Sequence, residues 1–161
     1  MKTIIGVMGP GSGAQKKDID NAFKLGKLIA NKGWVVLSGG RNEGVMDAVS
    51  KGAKSVNGLT IGILPTKDPL TFSKSLDIAI VTDMGSARNN INVLSSKVVV
   101  ACGMGAGTAS EVALALKAKK QVILICDHED AKKFFSKIGK VYIALSPDQV
   151  IEKIEEMLHQ K

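Results

Sequence analysis

The sequence predicts a single α/β domain, residues 1–161, with a doubly wound, mostly parallel sheet of about seven strands and helices on both faces. Two observations lead to this fold class. Short runs rich in Val and Ile alternate along the chain with segments of helical periodicity, and the connections are short. Aromatic residues make up only 4% of the chain, so aliphatic side chains must fill the core, as they do in parallel sheets buried on both faces.

Each element follows from its local pattern. The predicted strands are short apolar runs bounded by glycine, proline or polar residues: 3–8, 34–37, 59–64, 77–81, 98–102, 121–125 and 141–144. The predicted helices cover 18–32, 45–55, 85–95, 108–118, 130–138 and 147–159. In the first helix the apolar spacing predicts a buried face that includes Ile19, Phe23 and Ile29. Segment 66–75 is polar and is predicted to be a loop.

Three glycine-rich segments, 9–13, 38–44 and 103–108, each follow a predicted strand and precede a helix. In doubly wound sheets the ligand lies beyond the carboxyl ends of the strands. Glycine allows close backbone approach, and free N–H groups at a helix start favour an anion. A small phosphate-bearing ligand is therefore predicted, with a purely structural turn as the alternative. The candidate binding residues in these loops are Gly11, Ser12, Ser38, Gly39, Gly40, Arg41, Gly103, Met104, Gly105, Ala106, Gly107 and Thr108.

Two further candidates carry charge. Arg41 and Arg88 are the only arginines among 22 basic residues, and both follow predicted strands; a guanidinium suits bidentate contact with phosphate. Arg88 and Asn92 share one face of the predicted helix 85–95. Glu111 has two interpretations. It completes a capping box with Thr108, or it faces the crevice as a general acid or base.

Several classes of protein are disfavoured. The net charge of +7 is interpreted as a solvated surface rather than a nucleic-acid site, because no basic run is dense and aromatic platforms are scarce. The second strand ends in Ser38-Gly-Gly40, without the acidic residue of an NAD site. No metal-ligand spacing surrounds Cys102 or Cys126, which are expected to be buried, reduced thiols. The absence of a leader sequence and of membrane-length apolar runs leads us to expect a cytoplasmic protein.

The glycine segments also carry a family resemblance. Ser38-Gly-Gly-Arg41, Gly44-Val-Met-Asp-Ala48, Arg88 and the segment from Gly103 to Glu111 resemble the Lonely Guy or lysine-decarboxylase-like Rossmann superfamily over nearly the whole chain. The sequence is most similar to the branch of molybdenum-cofactor carrier proteins, which is distantly related to DNA-processing protein A. The resemblance implies a Rossmann-like domain that binds molybdenum cofactor (molybdopterin) by its phosphate and pterin. It also implies a homo-oligomer, dimer or tetramer, with molybdoenzymes as recipients. No lysine site for pyridoxal phosphate is recognisable.

The hydrolase branch of this superfamily implies an alternative function. Its members cleave nucleoside 5'-monophosphates of the cytokinin type and carry the motif PGGxGTxxE with an upstream arginine. Arg88 and Glu111 occupy the two catalytic positions of that motif, whereas Gly103 replaces the proline and Met104 the first glycine. We expect Met104 to place a bulky side chain where the hydrolases have bare backbone. This departure from the hydrolase motif favours a function as a cofactor carrier over phosphoribohydrolysis.

Overall fold

Seven parallel strands form one sheet in the computed structural model, which describes residues 1–159. They are β1 (Ile4–Met8), β2 (Val35–Ser38), β3 (Thr60–Leu64), β4 (Ile78–Val81), β5 (Val98–Cys102), β6 (Gln121–Ile125) and β7 (Tyr142–Ile143). Their order is β4-β3-β2-β1-β5-β6-β7, and every neighbouring pair is parallel. The predicted fold class is confirmed, and the sheet is parallel throughout rather than mostly so.

Six α-helices cover the two faces of the sheet. They are α1 (Lys16–Asn31), α2 (Gly44–Lys54), α3 (Asn89–Ser95), α4 (Ala106–Lys117), α5 (Glu129–Ile138) and α6 (Pro147–His159). Successive strand residues point to opposite faces. In β5, Val98 and Val100 pack with α1, α2 and α6, whereas Val99 and Ala101 pack with α3, α4 and α5. The aliphatic core is therefore divided into two layers, as the scarcity of aromatic residues predicts.

The predicted buried face of α1 is partly wrong. Ile19 and Phe23 are 38% and 43% exposed, while Leu25 is fully buried. The reason is a close backbone contact between α1 and α2. A Cβ atom on Gly26 would lie 2.0 Å from the Val49 carbonyl oxygen, so the helices meet at glycine rather than at the larger side chains. This contact turns the surface around Phe23 towards solvent.

Two other segments differ in detail from the prediction. Residues 85–95 contain a 3-10 turn, Gly85–Arg88, followed by α3, instead of one continuous helix. The predicted loop 66–75 contains a 3-10 turn at Pro69–Thr71. None of the helices described between residues 1 and 159 combines the length and the apolar composition that a membrane crossing requires.

Candidate functional site

A crevice of about 370 Å³ lies at the carboxyl edge of the sheet, beside the loops that follow β1 and β5. These two strands are neighbours, but the helices that follow them, α1 and α4, cover opposite faces. Loops that diverge in this way leave a cleft, which is the usual ligand position in doubly wound sheets. The volume lies within the range of small-molecule sites.

The first two glycine loops brace each other beside this crevice. Gly44 has φ +55°, and a Cβ atom there would lie 2.3 Å from the Pro10 carbonyl oxygen. The next amide, Val45 N, donates to the same oxygen at 3.0 Å. Gly9 approaches the chain after β5, since its Cβ atom would lie 2.3 Å from the Cys102 carbonyl oxygen. The backbone of these loops therefore forms one wall of the crevice, and contacts with other backbone atoms hold it in place.

The third glycine loop leads into the first turn of α4. Gly105 is the N-cap, and Ala106, Gly107 and Thr108 all line the crevice. The first N–H groups of a helix have no intrahelical partner and attract anions. A Cβ atom on Gly107 would meet no other atom within 4 Å, so open space lies directly in front of this backbone. Gly103 has a different role: its φ of +76° and the nearby Asp18 carboxylate, 2.7 Å from a Cβ atom there, require glycine.

A buried polar cluster also borders the crevice, which Arg88, Asn89 and Glu111 line. The Arg88 Nη1 atom lies 3.9 Å from Glu111 Oε1 and also donates to Asn89 Oδ1. Asn92 Nδ2 donates to Glu111 Oε1 at 2.8 Å. A Cβ atom on Gly39 would lie 2.6 Å from Arg88 Nη2, so the guanidinium rests against bare backbone. The polar sequence after β4, which opposes helix propensity, supplies three of these side chains.

The electrostatics of this cluster favour an anion. Burial raises the pKa of Glu111 to about 7, although the Asn92 hydrogen bond and the charge of Arg88 oppose this shift. Near neutral pH the carboxyl group is therefore about half protonated. Burial also lowers the pKa of Arg88; Glu111 opposes this shift and the positive charge of Arg41 adds to it. A guanidinium nevertheless stays charged, so Arg88 remains a cation beside a carboxyl group that is only partly ionised.

Three atoms of the same region are buried without a hydrogen-bond partner among the residues that the structure describes. They are Arg88 Nε, Asn92 Oδ1 and Thr108 Oγ1. Such a group typically costs roughly 1–3 kcal/mol. Arg88 Nε and Thr108 Oγ1 are donors that suit phosphate oxygens. The residues present therefore fit a phosphate-bearing ligand.

The structure brings most of the predicted residues together. Those that line the crevice are Gly11, Ser12, Gly39, Arg41, Arg88, Gly105, Ala106, Gly107, Thr108 and Glu111. Ser38, Gly40, Gly103 and Met104 do not line it. Ser38 is fully buried, and its hydroxyl accepts a hydrogen bond from Gly40 N at 3.1 Å. It stabilises the turn after β2, which is the alternative that the sequence leaves open.

Two sequence interpretations need correction. The capping box of Thr108 and Glu111 is absent because α4 begins at Ala106, two residues before the predicted start, with Gly105 as its N-cap. Glu111 instead faces Arg88 and Asn92. The expectation for Met104 is also wrong, since its side chain packs against the aliphatic core and does not line the crevice.

Several lining residues were missed: Met8, Gly9, Pro10, Gly13, Met46, Ser86 and Asn89. Gly9, Pro10 and Gly13 belong to the first glycine loop, which was predicted as a whole, although only Gly11 and Ser12 were selected from it as binding residues. Asn89 lies in the polar segment that was singled out around Arg88. Met8 carries no signal, because a methionine in an apolar run is indistinguishable from a core residue. Met46 lies in the segment 44–48 that carries the family resemblance, but residue type alone did not mark it as a lining residue.

Fold and crevice together define a Rossmann-like α/β protein with a crevice lined by glycines and two arginines at the switch point of its sheet. Residues 2–151 match the SLOG cluster4 family. The chain belongs to this family, and the predicted resemblance to the Lonely Guy-like superfamily is confirmed.

Two proteins of known structure and one further protein sequence are similar to this chain. The molybdenum cofactor binding protein from the phototrophic bacterium Rippkaea orientalis is 56% identical, with a TM-score of 0.97 and 98% coverage of both chains. The molybdenum cofactor carrier protein from Chlamydomonas reinhardtii is 49% identical, with a TM-score of 0.92 and coverage of 99% of this chain and 100% of that one. A cytokinin riboside 5'-monophosphate phosphoribohydrolase from Mycobacterium tuberculosis is 30% identical over 58% of this chain and 51% of the enzyme.

Proposed function

We propose that this protein binds and carries molybdenum cofactor, holding it through its phosphate in the glycine-lined crevice. The observation that carries the proposal is the similarity to two molybdenum-cofactor proteins, at 56% and 49% identity over essentially the whole chain. A carrier needs a site that binds without reacting. Six of the 17 residues that line the cavity are glycines, and no NAD or pyridoxal phosphate is part of the proposal.

The contacts follow from the chemistry of the lining. The first N–H groups of α4 and the Thr108 hydroxyl would hold the phosphate, and the Arg88 guanidinium would also donate to it. The pterin ring has a hydrogen-bonding edge, for which Ser12 and Asn89 offer a hydroxyl and an amide. The braced loops around Pro10 and Gly44 would keep this arrangement in place before the ligand arrives.

The direct test is the pterin content of protein purified from a cofactor-replete host. Oxidation of the released cofactor gives a fluorescent pterin, which we expect at about one per chain. Native mass spectrometry of the same sample reports the ligand mass and the number of subunits. If neither the purified protein nor protein incubated with added cofactor contains stoichiometric pterin, the proposal is wrong.

Gly107 provides a prediction that separates binding from folding. Alanine at this position meets no steric obstacle and is a better helix former, so we expect Gly107→Ala to stabilise the fold by about 0.5 kcal/mol. Its methyl group would enter the space before the α4 amides and weaken cofactor binding by about tenfold, or 1.4 kcal/mol. Thermal unfolding and bound pterin measure the two effects. Unchanged pterin content would show that the ligand does not approach this backbone.

Phosphoribohydrolysis is the second candidate function, and the buried pair of Arg88 and Glu111 favours it. A carboxyl group with a pKa of about 7 is suited to general acid–base work. Arg88 would orient the phosphoribosyl group. Incubation with AMP and N6-modified AMP, followed by detection of the free base, tests this function. No release at high protein concentration, or release that survives Glu111→Ala, would exclude it.

We also propose that the protein is a homo-oligomer, dimer or tetramer, that pairs through β4. This edge strand exposes Ile78, Ile80 and Val81 by 43–49% and contains none of the lysines or prolines that usually protect an edge. The opposite edge, β7, is only two residues long and half-buried. Antiparallel pairing of two β4 strands about a two-fold axis would satisfy both copies at once.

We expect Ile80→Lys to convert the oligomer into monomer, because it introduces a charge into the paired β4 strands. The fold of the monomer should tolerate the change, since Ile80 is already exposed there. Light scattering coupled to size exclusion measures the mass. Ile138→Lys is the matched control, since Ile138 is 54% exposed at the end of α5. If Ile80→Lys and wild type have the same mass, β4 is not the interface.

The expected recipients are molybdoenzymes that lack their cofactor. Mixing the loaded carrier with such an apoenzyme should restore its activity without free cofactor. Two buried, unpaired cysteines, Cys102 and Cys126, are compatible with a reducing compartment such as the cytoplasm.

A further inference from the structure

A second cavity, of about 270 Å³, adjoins the crevice. Its outer part is formed by Pro65, Thr66 and Thr71, from the connection between β3 and β4. Arg41 and Arg88 line both this cavity and the crevice, as does Ser86. The only two arginines of the chain therefore stand at the junction of two cavities.

The two arginines lie close enough for the charge of Arg41 to act on Arg88. Each has an acidic neighbour: Glu43 pairs with Arg41, and Glu111 lies 3.9 Å from Arg88. Arg88 nevertheless keeps its buried Nε without a partner among the described residues. Guanidinium groups in this arrangement are typical of sites for phosphate groups.

The α4 amides and the arginine pair occupy different parts of the site. Ala106, Gly107 and Thr108 line the crevice but not the second cavity, whereas the arginines line both. One phosphate on the α4 amides and a second between the arginines would follow a path from the first cavity into the other. If a single phosphate bound at the α4 amides, no anion would contact the arginines on the side of the second cavity.

The lining of the second cavity indicates what lies beyond the second phosphate. Thr66 and Thr71 present hydroxyl groups 3.2 Å apart, and Ser86 adds a third. Hydroxyl groups donate and accept hydrogen bonds, so they match the hydroxyls of a sugar. The two threonine hydroxyls bond each other, and Thr71 Oγ1 also donates to the Asp68 carbonyl oxygen at 2.8 Å. The pair therefore keeps lone pairs that can accept hydrogen bonds from the hydroxyls of a sugar.

We propose that the two cavities together bind a ligand whose two parts are joined by a diphosphate. The pterin and its own phosphate occupy the crevice, the second phosphate lies between Arg41 and Arg88, and the sugar of a nucleotide enters the second cavity. The protein thus takes a nucleotide-linked form of the cofactor rather than the monophosphate alone. This inference rests on the proposed function, because the crevice must hold the pterin.

The test compares pterin and nucleotide in the same preparation. Protein is purified from a host that makes both the monophosphate and the nucleotide-linked forms, and the bound material is treated with a nucleotide pyrophosphatase. We expect one nucleoside 5'-monophosphate for each pterin released. Pterin without nucleotide would overturn this inference and leave the proposed function intact. Absence of pterin overturns the proposed function and this inference with it.

A variant pair locates the nucleotide. Thr66→Trp fills the second cavity from an exposed loop position and should lower the ratio of nucleotide to pterin at least about fivefold, because only the monophosphate form would still fit the crevice. Lys67→Trp is the matched control, because the neighbouring Lys67 does not line the cavity and is largely exposed. An equal ratio in wild type and Thr66→Trp would show that the nucleotide lies elsewhere, and would overturn the assignment.

Discussion

Protein with Arg88→Ala is expected to bind the cofactor about 100-fold more weakly than wild type. Hydrogen bonds to charged groups contribute roughly 1.5–3 kcal/mol, and each 1.4 kcal/mol corresponds to tenfold in affinity. The side chain is only 10% exposed, so water screens it poorly. Its guanidinium already rests against Gly39, so little conformational entropy is lost when the ligand binds.

Two other variants show whether charge or shape is responsible. Arg88→Lys keeps the positive charge but loses Nε and the planar fork, and we expect about tenfold weaker binding. Arg41→Ala should have a smaller effect on the pterin phosphate, because Arg41 is 43% exposed and paired with Glu43. Titration of the apo-protein with cofactor at pH 6 gives the three affinities. Equal losses for Arg41→Ala and Arg88→Ala would refute the special role of Arg88.

Replacing Glu111 with glutamine should remove a pH dependence of the folding free energy. The pKa of Glu111 is raised from 4.5 to about 7 in the folded protein. The folded state therefore binds this proton more tightly than the unfolded chain does. The resulting stabilisation is fully present below pH 4.5 and is lost as the pH rises through 7. The pKa shift corresponds to about 3 kcal/mol.

Denaturant unfolding from pH 5 to pH 8 measures this effect. Wild type should lose stability relative to Glu111→Gln across that range, so that the variant has its greatest advantage at pH 8. The carboxylates of Asp77, Asp127 and Glu129 have lowered pKa values and titrate below this window. Parallel curves for the two proteins would mean that Glu111 has an ordinary pKa in the folded protein.

The sequence predicts the framework well because the framework depends on local pattern. Buried parallel strands are short apolar runs, and each is followed by a recognisable break, so the strands and the three glycine loops could be placed to within a few residues. The common edge on which the loops meet follows from the parallel arrangement itself. Arg88 was found for the same reason, since it follows a strand and is one of only two arginines.

The rest depends on backbone contacts that no local pattern encodes. The start of α4 at Ala106 decides whether Glu111 caps the helix or faces Arg88, and a shift of two residues reverses the interpretation. The orientation of α1 depends on the distant backbone of Val49 meeting Gly26. Met104 packs against the core just before the N-cap of α4, an outcome that residue type alone does not predict.

The left-handed backbone of Gly103 limits how this site can be converted into a hydrolase site, by evolution or by design. The hydrolase signature has proline there, and proline fixes φ near −65°. Gly103 has φ +76°, so a graft of Pro-Gly at 103–104 would have to rotate the chain by roughly 140° about this bond. Such a graft would also displace the neighbouring Asp18 from its place over the loop. A change of side chain at this position therefore requires a change in the path of the main chain.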